Sequence, residues 1–174
     1  MPTAGQHQGM KGVVVTILIL VLAAGGLWYF VDQRNQEIRA RNAEIRAAAE
    51  KAERDARIAL YGEEGLNPAI EWRDTGMGVL HVTEGDGASP VPGGEVTFNY
   101  VVRLADGTEV QRLDKPTEAR IGQMIPGVSA GLQSMRTGGR AVLFIPPALG
   151  YGGSAYGSIP PDSGLIFEVE LLRP

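Results

Sequence analysis

The chain contains no cysteine and only two histidines, His7 and His81, among its 174 residues. The absence of cysteine excludes disulfides, thiolate metal sites and a cysteine nucleophile. Two histidines argue against a multi-histidine metal site and against a conventional catalytic triad. An excess of basic residues is also missing, because Lys+Arg number 16 against Asp+Glu 20, for a net charge of -4. Nucleic acid is therefore not an expected partner, and no metal or cofactor is predicted.

The composition allows one globular domain with an appendage, since 44% of the residues are hydrophobic and 21% charged. The composition differs between three segments of the chain: the first is apolar, the second is charged and the third is rich in glycine. We divide the chain into an N-terminal tail (1–12), an apolar segment (13–31), a charged alanine-rich helix (32–60), a linker (61–75) and a folded domain (76–174).

The apolar segment, residues 13–31, is a run of 19 residues without a charge. As a helix it would extend about 28 Å, close to the ~30 Å thickness of the hydrocarbon core of a bilayer. Trp28 and Tyr29 near its end suit a membrane interface. These features predict an uncleaved transmembrane anchor. A cleaved secretion signal is the alternative, with residues 23–25 as the cleavage site, although the apolar run continues past them.

The charged segment, residues 32–60, contains no glycine or proline and carries acid-before-base pairs four residues apart, such as Glu50 with Arg54. This composition predicts a helix that ends near Tyr61. A heptad repeat of isoleucine and alanine that includes Ile38 and Ile45 is compatible with a homodimeric coiled coil. The alternative is a solvated stalk that holds the following domain away from the membrane.

Residues 76–174 show alternation of apolar side chains, which is typical of strands. The predicted strands lie at 77–83, 96–104, 108–111, 139–145 and 165–171. One short helix is predicted over residues 128–136, where apolar residues fall on one stripe. The fold class is therefore α+β, with an antiparallel sheet packed on a single short helix. The long loop 146–164 is rich in glycine and proline, yet it contains Tyr151, Tyr156 and Ile159, which a purely disordered loop would not need.

Two motifs in this domain are specific. Residues 134–147, SMRTGGRAVLFIPP, are followed by Gly150-Tyr151-Gly152, and residues 159–172 read IPPDSGLIFEVELL. They resemble the signature of the FKBP-type peptidyl-prolyl cis-trans isomerases, in particular the membrane-anchored bacterial type. The resemblance covers about residues 76–172. It implies an antiparallel sheet half-wrapped around one short helix, cis-trans isomerisation of proline-containing polypeptides, and no cofactor.

The resemblance also implies a binding site, carried over residue by residue. A prolyl ring would occupy an apolar pocket between the sheet and the helix. The hydroxyl of Tyr151 would donate a hydrogen bond to a bound carbonyl, and the backbone N–H of Ile125 would act similarly. The implied catalytic residues are Tyr151, Tyr100 and Phe167. The implied substrate-binding residues are Met124, Ile125, Ile159, Val128, Val110 and Gln111.

Four positions depart from the family pattern. Val110 and Thr117 stand where the family has aromatic residues, Gln111 replaces an aspartate, and Val128 replaces the tryptophan of the pocket floor. Two functions are therefore weighed. The first is an isomerase that assists protein folding at a bacterial membrane, and the second is a proline-binding chaperone or assembly module with little or no turnover.

The orientation of the predicted anchor has two interpretations. Four arginines follow the apolar segment closely, from Arg34 to Arg46, whereas only Lys11 precedes it. The positive-inside rule would place the C-terminal domain in the cytoplasm. Anchored bacterial proteins that resemble this family commonly face the periplasm. We expect a single-pass protein of the inner membrane with a periplasmic domain.

Overall fold

The computed structural model describes residues 6–174, apart from the side chains of residues 6–24 and of Asp114. Two compact units are present, Met1–Lys51 and Ala52–Pro174. A single long helix, α1, runs over Gln6–Tyr61. It ends where the sequence predicts, because Gly62 follows in the left-handed conformation with φ of 64°, which glycine adopts without steric cost.

The helix predicted over residues 32–60 is confirmed as part of α1. Ile38 and Ile45 of the heptad repeat are exposed, so the homodimer stays a prediction. Within the residues whose side chains are described, no helix is long and apolar enough to cross a membrane. Residues 13–24 of the predicted anchor 13–31 lie outside that part of the chain. The predicted transmembrane helix is therefore not confirmed by the structure.

The second unit is built on one antiparallel sheet of six strands. The strands are β1 (Glu71–Trp72), β2 (Gly78–Thr83), β3 (Glu95–Arg103), β4 (Glu109–Arg120), β5 (Arg140–Ile145) and β6 (Leu165–Arg173). Their spatial order is β1-β2-β5-β6-β3-β4. The last strand of the chain, β6, pairs with both β3 and β5 and so lies in the interior of the sheet.

All five predicted strands are confirmed, but two features were not predicted. The first, strand β1, contains only two residues, which are too few to show a periodic pattern in the sequence. Strand β4 continues to Arg120, far beyond the predicted 108–111. Its middle contains Pro116, which has no backbone N–H to donate and is tolerated because β4 is an edge strand, paired on one side only. The pairing there shifts between Phe98 with Thr117 and Tyr100 with Leu113, as expected of a bulge.

The short helix α2 spans Pro126–Gln133, two residues earlier at its start than predicted. Pro126 occupies the first turn, where its missing N–H costs no hydrogen bond. Beyond Gln133 the backbone forms a tighter turn of the 3₁₀ type, since the N–H of Met135 donates to the Leu132 carbonyl three residues back (3.1 Å). Met135 therefore remains buried, although it lies outside the helix.

Helix α2 packs on the sheet face that forms the main core. Two of its glycines make this close approach possible. A Cβ on Gly127 would lie 2.4 Å from the Ile145 side chain, and one on Gly131 would lie 2.3 Å from that of Leu143. The main core contains alternating residues of β3, β5 and β6 together with one side of α2. Its largest members include Phe98, Leu132, Met135, Leu143, Phe167 and Leu171.

Replacing Gly131 by alanine is expected to destabilise the domain, although alanine is the better helix former by about 1 kcal/mol. Three atoms of Leu143 lie within 3.0 Å of the added Cβ, so a single rotation of that side chain cannot clear the contact. Overpacking of this kind costs about 1–3 kcal/mol. Urea unfolding of the Gly131→Ala variant should show a lower midpoint. A higher midpoint would mean that helix propensity, not contact with β5, decides stability here.

The opposite face of the sheet carries a second, smaller core, which includes part of the segment 61–75 that was predicted as a linker. Tyr61, at the end of α1, is 1% exposed and packs with Ile70, Phe144 and Ile166. Its ring is 5.5 Å from the ring of Phe144 and 5.8 Å from that of Trp72. These separations fall within the range of favourable aromatic pairs. The end of α1 and part of the predicted linker are therefore parts of the folded unit.

Polar contacts reinforce this attachment. The guanidinium of Arg103 on β3 donates to both carboxylate oxygens of Glu64 (2.7 and 3.1 Å) and to Glu168 on β6 (2.6 and 3.1 Å). The pKa of Arg103 is raised, mainly because its guanidinium hydrogen-bonds the Glu64 carboxylate. The guanidinium of Arg57 lies 4.3 Å from the ring centroid of Trp72, a cation–π arrangement. The segment after α1 is thus held by charge pairs as well as by apolar packing.

Candidate functional site

A cavity of about 330 Å³ lies between the sheet, the start of α2 and the loop 146–164. Its walls come from β3, β4 and β6, from the segment that leads into α2, and from two tyrosines of the loop. The lining residues are Phe98, Tyr100, Gln111, Thr117, Ala119, Gln123, Met124, Ile125, Val128, Tyr151, Tyr156 and Phe167. All of them are uncharged at neutral pH, so the cavity is apolar with a few hydroxyl and amide groups.

The sheet supplies an aromatic wall. Phe98 and Tyr100 lie two residues apart on the same face of β3, as the period of a strand requires, and their ring centroids are 5.6 Å apart. The ring of Phe167 on β6 is 5.7 Å from that of Tyr100. Phe98 and Phe167 are buried, whereas Tyr100 is half-buried. Two fixed phenyl rings thus hold Tyr100 at the surface of the cavity.

The loop 146–164 supplies a second aromatic wall. Tyr151 follows a short 3₁₀ turn, Pro147–Leu149, and packs half-buried against the main core. The N–H of Gly152 donates to the Pro147 carbonyl (2.9 Å), and the N–H of Asp162 donates to the Gly152 carbonyl (2.8 Å). These bonds fix the backbone beside Tyr151. The ring of Tyr156 stacks on that of Tyr151, with centroids 4.3 Å apart and planes within 6°.

The start of α2 supplies the floor. Ile125 precedes the helix in an extended conformation, and Pro126 opens the first turn. Ser129 is buried, and its hydroxyl accepts a hydrogen bond from the N–H of Gly122 (3.2 Å). This bond ties the helix to the turn that carries Met124 and Ile125. Val128 is only 3% exposed, so a small buried side chain forms part of this floor.

The hydroxyl groups of the site remain protonated over a wide range. Burial raises the pKa of Tyr100, the neighbouring phenol of Tyr156 raises it further, and a hydrogen bond with Gln111 opposes these effects. Burial also raises the pKa of Tyr151, with smaller contributions from Tyr156 and Tyr100. A raised phenol pKa means that the proton is retained to higher pH. Both tyrosines can therefore donate hydrogen bonds well above neutral pH.

Because the cavity is lined by uncharged residues, we predict that ligand binding in it, and any activity that depends on this binding, varies little with pH. The described lining residues contain no carboxylate, amine or imidazole, so ligand binding should change little between about pH 5 and pH 9. Above pH 10, the ordinary value for tyrosine, the donors are lost as Tyr100 and Tyr151 ionise. Proline exchange followed by NMR from pH 5 to pH 11, with near-ultraviolet circular dichroism to monitor folding, measures this profile. An acidic limb would contradict it.

The cavity brings together seven of the nine predicted site residues. They are Tyr100, Gln111, Met124, Ile125, Val128, Tyr151 and Phe167. The other two predictions, Ile159 and Val110, are not among its lining residues. Ile159 is 7% exposed and belongs to the main core, where its backbone pairs with Tyr156. Val110 falls where the pairing of β3 and β4 shifts register, and it packs against the core from this bulge.

The sequence analysis missed four lining residues. Phe98 was assigned only to the core face of its strand, although its position two residues before Tyr100 could have indicated the cavity. Ala119 continues the strand pattern weakly and Gln123 lies in a stretch, residues 122–127, that also fits the family, but neither was given a role in the site. Tyr156 was noted in the loop but was given no role, because sequence spacing does not reveal that its ring stacks on Tyr151.

A second recess of about 340 Å³ lies mostly on the opposite face of the sheet. Its lining includes Val82, Arg140, Glu168 and Glu170. Arg140 and Glu170 form an ion pair there (3.0 Å). Charged side chains that are already paired offer little to an apolar ring, so the aromatic cavity is the better candidate.

The chemistry of the aromatic cavity is that of noncovalent recognition. It offers rings and aliphatic walls for a compact apolar group and hydroxyl donors for a carbonyl. In the described part of the chain, no group of three or more His, Asp or Glu side chains could hold a metal ion. The fold and the site therefore define a class: an α+β domain with an aromatic cavity between its sheet and its single short helix, suited to a compact apolar group with a carbonyl beside it.

Comparison with known proteins specifies this class. A family model described as FKBP-type peptidyl-prolyl cis-trans isomerase matches residues 87–172. An FK506-binding protein of Neisseria meningitidis serogroup B is 40% identical over 104 residues, which is 56% of this chain and 95% of that protein. The chain belongs to the FKBP family of peptidyl-prolyl cis-trans isomerases.

A longer relative extends the similarity beyond the domain. The FKBP-type peptidyl-prolyl cis-trans isomerase FkpA of Escherichia coli (strain K12) is 32% identical over 149 residues, which is 82% of this chain. The alignment covers 55% of FkpA, so the chain spans about half the length of the curated relatives of this type.

Solved structures show the same fold. A peptidyl-prolyl cis-trans isomerase of Pseudomonas syringae pv. tomato gives a TM-score of 0.62 at 34% identity, and the match covers 72% of this chain and 92% of that one. FkpA from Escherichia coli gives a TM-score of 0.62 at 27% identity, covering 99% of this chain and 84% of that one. The FKBP-like sheet and helix predicted from the sequence are thus confirmed.

Proposed function

We propose that this chain catalyses cis-trans isomerisation of X-Pro peptide bonds, with the aromatic cavity as its active site. The observation that carries this proposal is the uncharged cavity in which Tyr100, Phe167 and Tyr151 surround the space above Val128. A prolyl ring is apolar and compact, and its preceding carbonyl needs a donor. The cavity offers both kinds of contact.

The mechanism needs neither a nucleophile nor a proton transfer. Rotation about a peptide bond has a barrier of about 18–20 kcal/mol, because resonance makes the bond planar and polar. Twisting the bond reduces this polarity. A dry cavity therefore disfavours the planar ground state relative to the twisted transition state. Each 1.36 kcal/mol removed from the barrier gives about a tenfold increase in rate.

Individual residues have distinct roles in this mechanism. Tyr100 and Phe167 enclose the prolyl ring and exclude water. The hydroxyl of Tyr151 donates to a substrate carbonyl, and it is available because burial keeps the phenol protonated. Ile125 and Met124 complete the wall before α2. Catalysis then arises from positioning and desolvation rather than from covalent chemistry.

A second function, proline binding with little turnover, is supported by two observations. Val128 is buried at the floor of the cavity, and its small side chain leaves less apolar surface there than a tryptophan would. Gln111 lines the cavity together with Tyr100 but, unlike the aspartate of the family pattern, brings no negative charge. A looser site with less apolar surface around the prolyl ring would bind a prolyl segment without strongly favouring the twisted state.

One assay separates the two functions. The exchange of cis and trans forms of an Ala-Leu-Pro-Phe type peptide is followed by NMR with and without the full chain. Isomerase activity predicts faster exchange and its loss in Phe167→Ala. Shift changes in the peptide without faster exchange would favour the binding module. Neither effect, with a folded protein, would overturn both functions.

We further infer that the chain acts on folding proteins at a bacterial membrane, anchored by residues 13–31 with the domain in the periplasm. The support is the uncharged run and its terminal aromatic pair in the sequence. The heptad repeat that contains the exposed residues Ile38 and Ile45 supports a homodimer through residues 32–60. A C-terminal reporter fusion that is active only outside the cytoplasm tests the orientation, and crosslinking of the full chain tests the dimer.

A further inference from the structure

One lining residue of the aromatic cavity contains sulfur, Met124. The chain has no cysteine, so the thioethers of its methionines are the softest nucleophiles that it offers to an oxidant. Of its five methionines, three have described side chains. Met77 and Met135 are 1% and 2% exposed and belong to the main core, whereas Met124 is half-buried. The three thioethers therefore differ in their access to solvent and not in their chemistry.

A small oxidant can reach Met124 through the cavity. The cavity volume of about 330 Å³ far exceeds the roughly 10–15 Å³ that one water molecule requires, and hydrogen peroxide is only slightly larger than water. The neighbouring residues Gln123 and Pro126 are exposed. Met77 and Met135 lie in a close-packed interior that offers no comparable path.

The backbone holds Met124 at the cavity wall. The N–H of Gln123 donates to the Arg120 carbonyl (3.0 Å), and the N–H of Gly122 donates to the Ser129 hydroxyl (3.2 Å). Gly122 also adopts φ of 94°, a conformation that favours glycine. Withdrawal of Met124 from the cavity would break this turn, so its side chain stays accessible in the folded domain.

Oxidation of this thioether changes the wall of the cavity from apolar to polar. A prolyl ring that fills the cavity would remove the sulfoxide oxygen from water without providing a donor, which is unfavourable. If a hydroxyl of Tyr100 or Tyr151 donates to the sulfoxide instead, that donor is no longer available to a substrate carbonyl. Both arrangements weaken the binding of an X-Pro segment.

We propose that Met124 is a site of reversible oxidation by peroxides and that its sulfoxide form binds X-Pro segments weakly. A lone pair of the sulfur attacks one oxygen of hydrogen peroxide, so an S–O bond forms while the O–O bond breaks. The proton on the transferred oxygen passes to the departing hydroxide, which leaves as water. The sulfur loses two electrons and the peroxide gains them. Methionine sulfoxide reductases reverse the change. The effect on binding rests on the proposed function of the cavity.

Peptide mapping by mass spectrometry tests the modification in the full chain. The folded protein is incubated with hydrogen peroxide, sampled over time and digested with trypsin. Residues 121–136 form one tryptic peptide that contains both Met124 and Met135, so its fragment ions compare the two directly. Met124 should gain an oxygen atom at least about tenfold faster than Met135 or Met77, since susceptibility follows exposure. In urea-unfolded protein the three rates should become similar. Equal rates in the folded chain would overturn the proposed site.

Peptide binding tests the consequence of the modification. The dissociation constant of an Ala-Leu-Pro-Phe type peptide should rise about fivefold or more after oxidation and should recover after treatment with the two reductases that act on the two sulfoxide epimers. In Met124→Leu the ratio of dissociation constants after and before peroxide should be about one, whereas Met135→Leu should keep the full rise. Circular dichroism monitors folding throughout.

Two results would overturn the effect on binding. One is an unchanged dissociation constant when Met124 is fully oxidised, and the other is an equal rise in Met124→Leu. If the untreated chain binds no proline peptide, the proposed function fails by itself. The oxidation rates from peptide mapping then still confirm or overturn Met124 as the site of modification.

Discussion

Deletion of residues 1–66 will lower the free energy of unfolding of the domain by at least about 3 kcal/mol, the usual cost of removing a large buried aromatic side chain. The deletion removes Tyr61, which is 1% exposed, and uncovers Phe144 and Ile166 beneath it. It also leaves Arg103 without Glu64. Urea unfolding that compares residues 67–174 with residues 52–174 measures the loss, because the longer fragment retains the whole compact unit.

The control for this deletion lies in Tyr61 itself. Its hydroxyl is buried without a hydrogen-bond partner, and burial raises its pKa. Tyr61→Phe should therefore leave stability at neutral pH unchanged or slightly improved, since an unsatisfied polar group is removed. Tyr61→Ala should reproduce most of the loss seen on deletion. Equal stability of the two fragments would show that the end of α1 contributes nothing to the fold.

Replacement of Tyr151 by alanine should reduce kcat/KM for an X-Pro peptide by about 10- to 100-fold, the range expected when a half-buried donor and its apolar ring are lost together. The ring forms one wall of the cavity, and the hydroxyl is the donor that we propose for a substrate carbonyl. The stack with Tyr156 is lost as well. The NMR exchange assay with the full chain measures this change.

Tyr151→Phe separates the two contributions. It keeps the ring and the stack and removes only the hydroxyl, so kcat/KM should fall by about tenfold if the donor is used in the transition state. Circular dichroism should remain unchanged in both variants, because Tyr151 is only partly buried. Full activity of Tyr151→Phe would mean that the tyrosine acts as a wall alone. Full activity of Tyr151→Ala would remove Tyr151 from the site.

The strands and the short helix were accessible to sequence reasoning because their signals are local. Alternation along β3 and β6 follows from one buried face, and Pro126 and the tight turn after Gln133 only adjust the ends of α2. The length of β4 was not accessible, since its pairing with β3 passes through a bulge near Pro116 that is fixed by contacts far away in the chain. The packing of Tyr61 on Phe144 is likewise a long-range contact.

The site was predicted largely through resemblance. Periodicity alone places Phe167 and Tyr100 on inward faces, where a core residue and a cavity residue look the same. Val110 and Ile159 are not among the lining residues: Val110 packs against the core beside a register shift, and Ile159 is buried at the bridge to Tyr156. Tyr156 could not be assigned a partner, since the conformation of a glycine-rich loop depends on its tertiary contacts.

The attachment of α1 has a mechanical consequence. Tyr61 rests on Phe144 of β5 and Ile166 of β6, two strands that lie inside the sheet rather than at its edges. Arg103 on β3 hydrogen-bonds Glu64 in the segment after α1 and Glu168 on β6, and so connects that segment to a third strand. A pulling force transmitted along the helix would thus be distributed over three adjacent interior strands, each hydrogen-bonded on both sides. The chain after α1 leads next into the edge strand β1, so the packing of Tyr61 and the Arg103–Glu64 pair lie ahead of that edge along the path of the force.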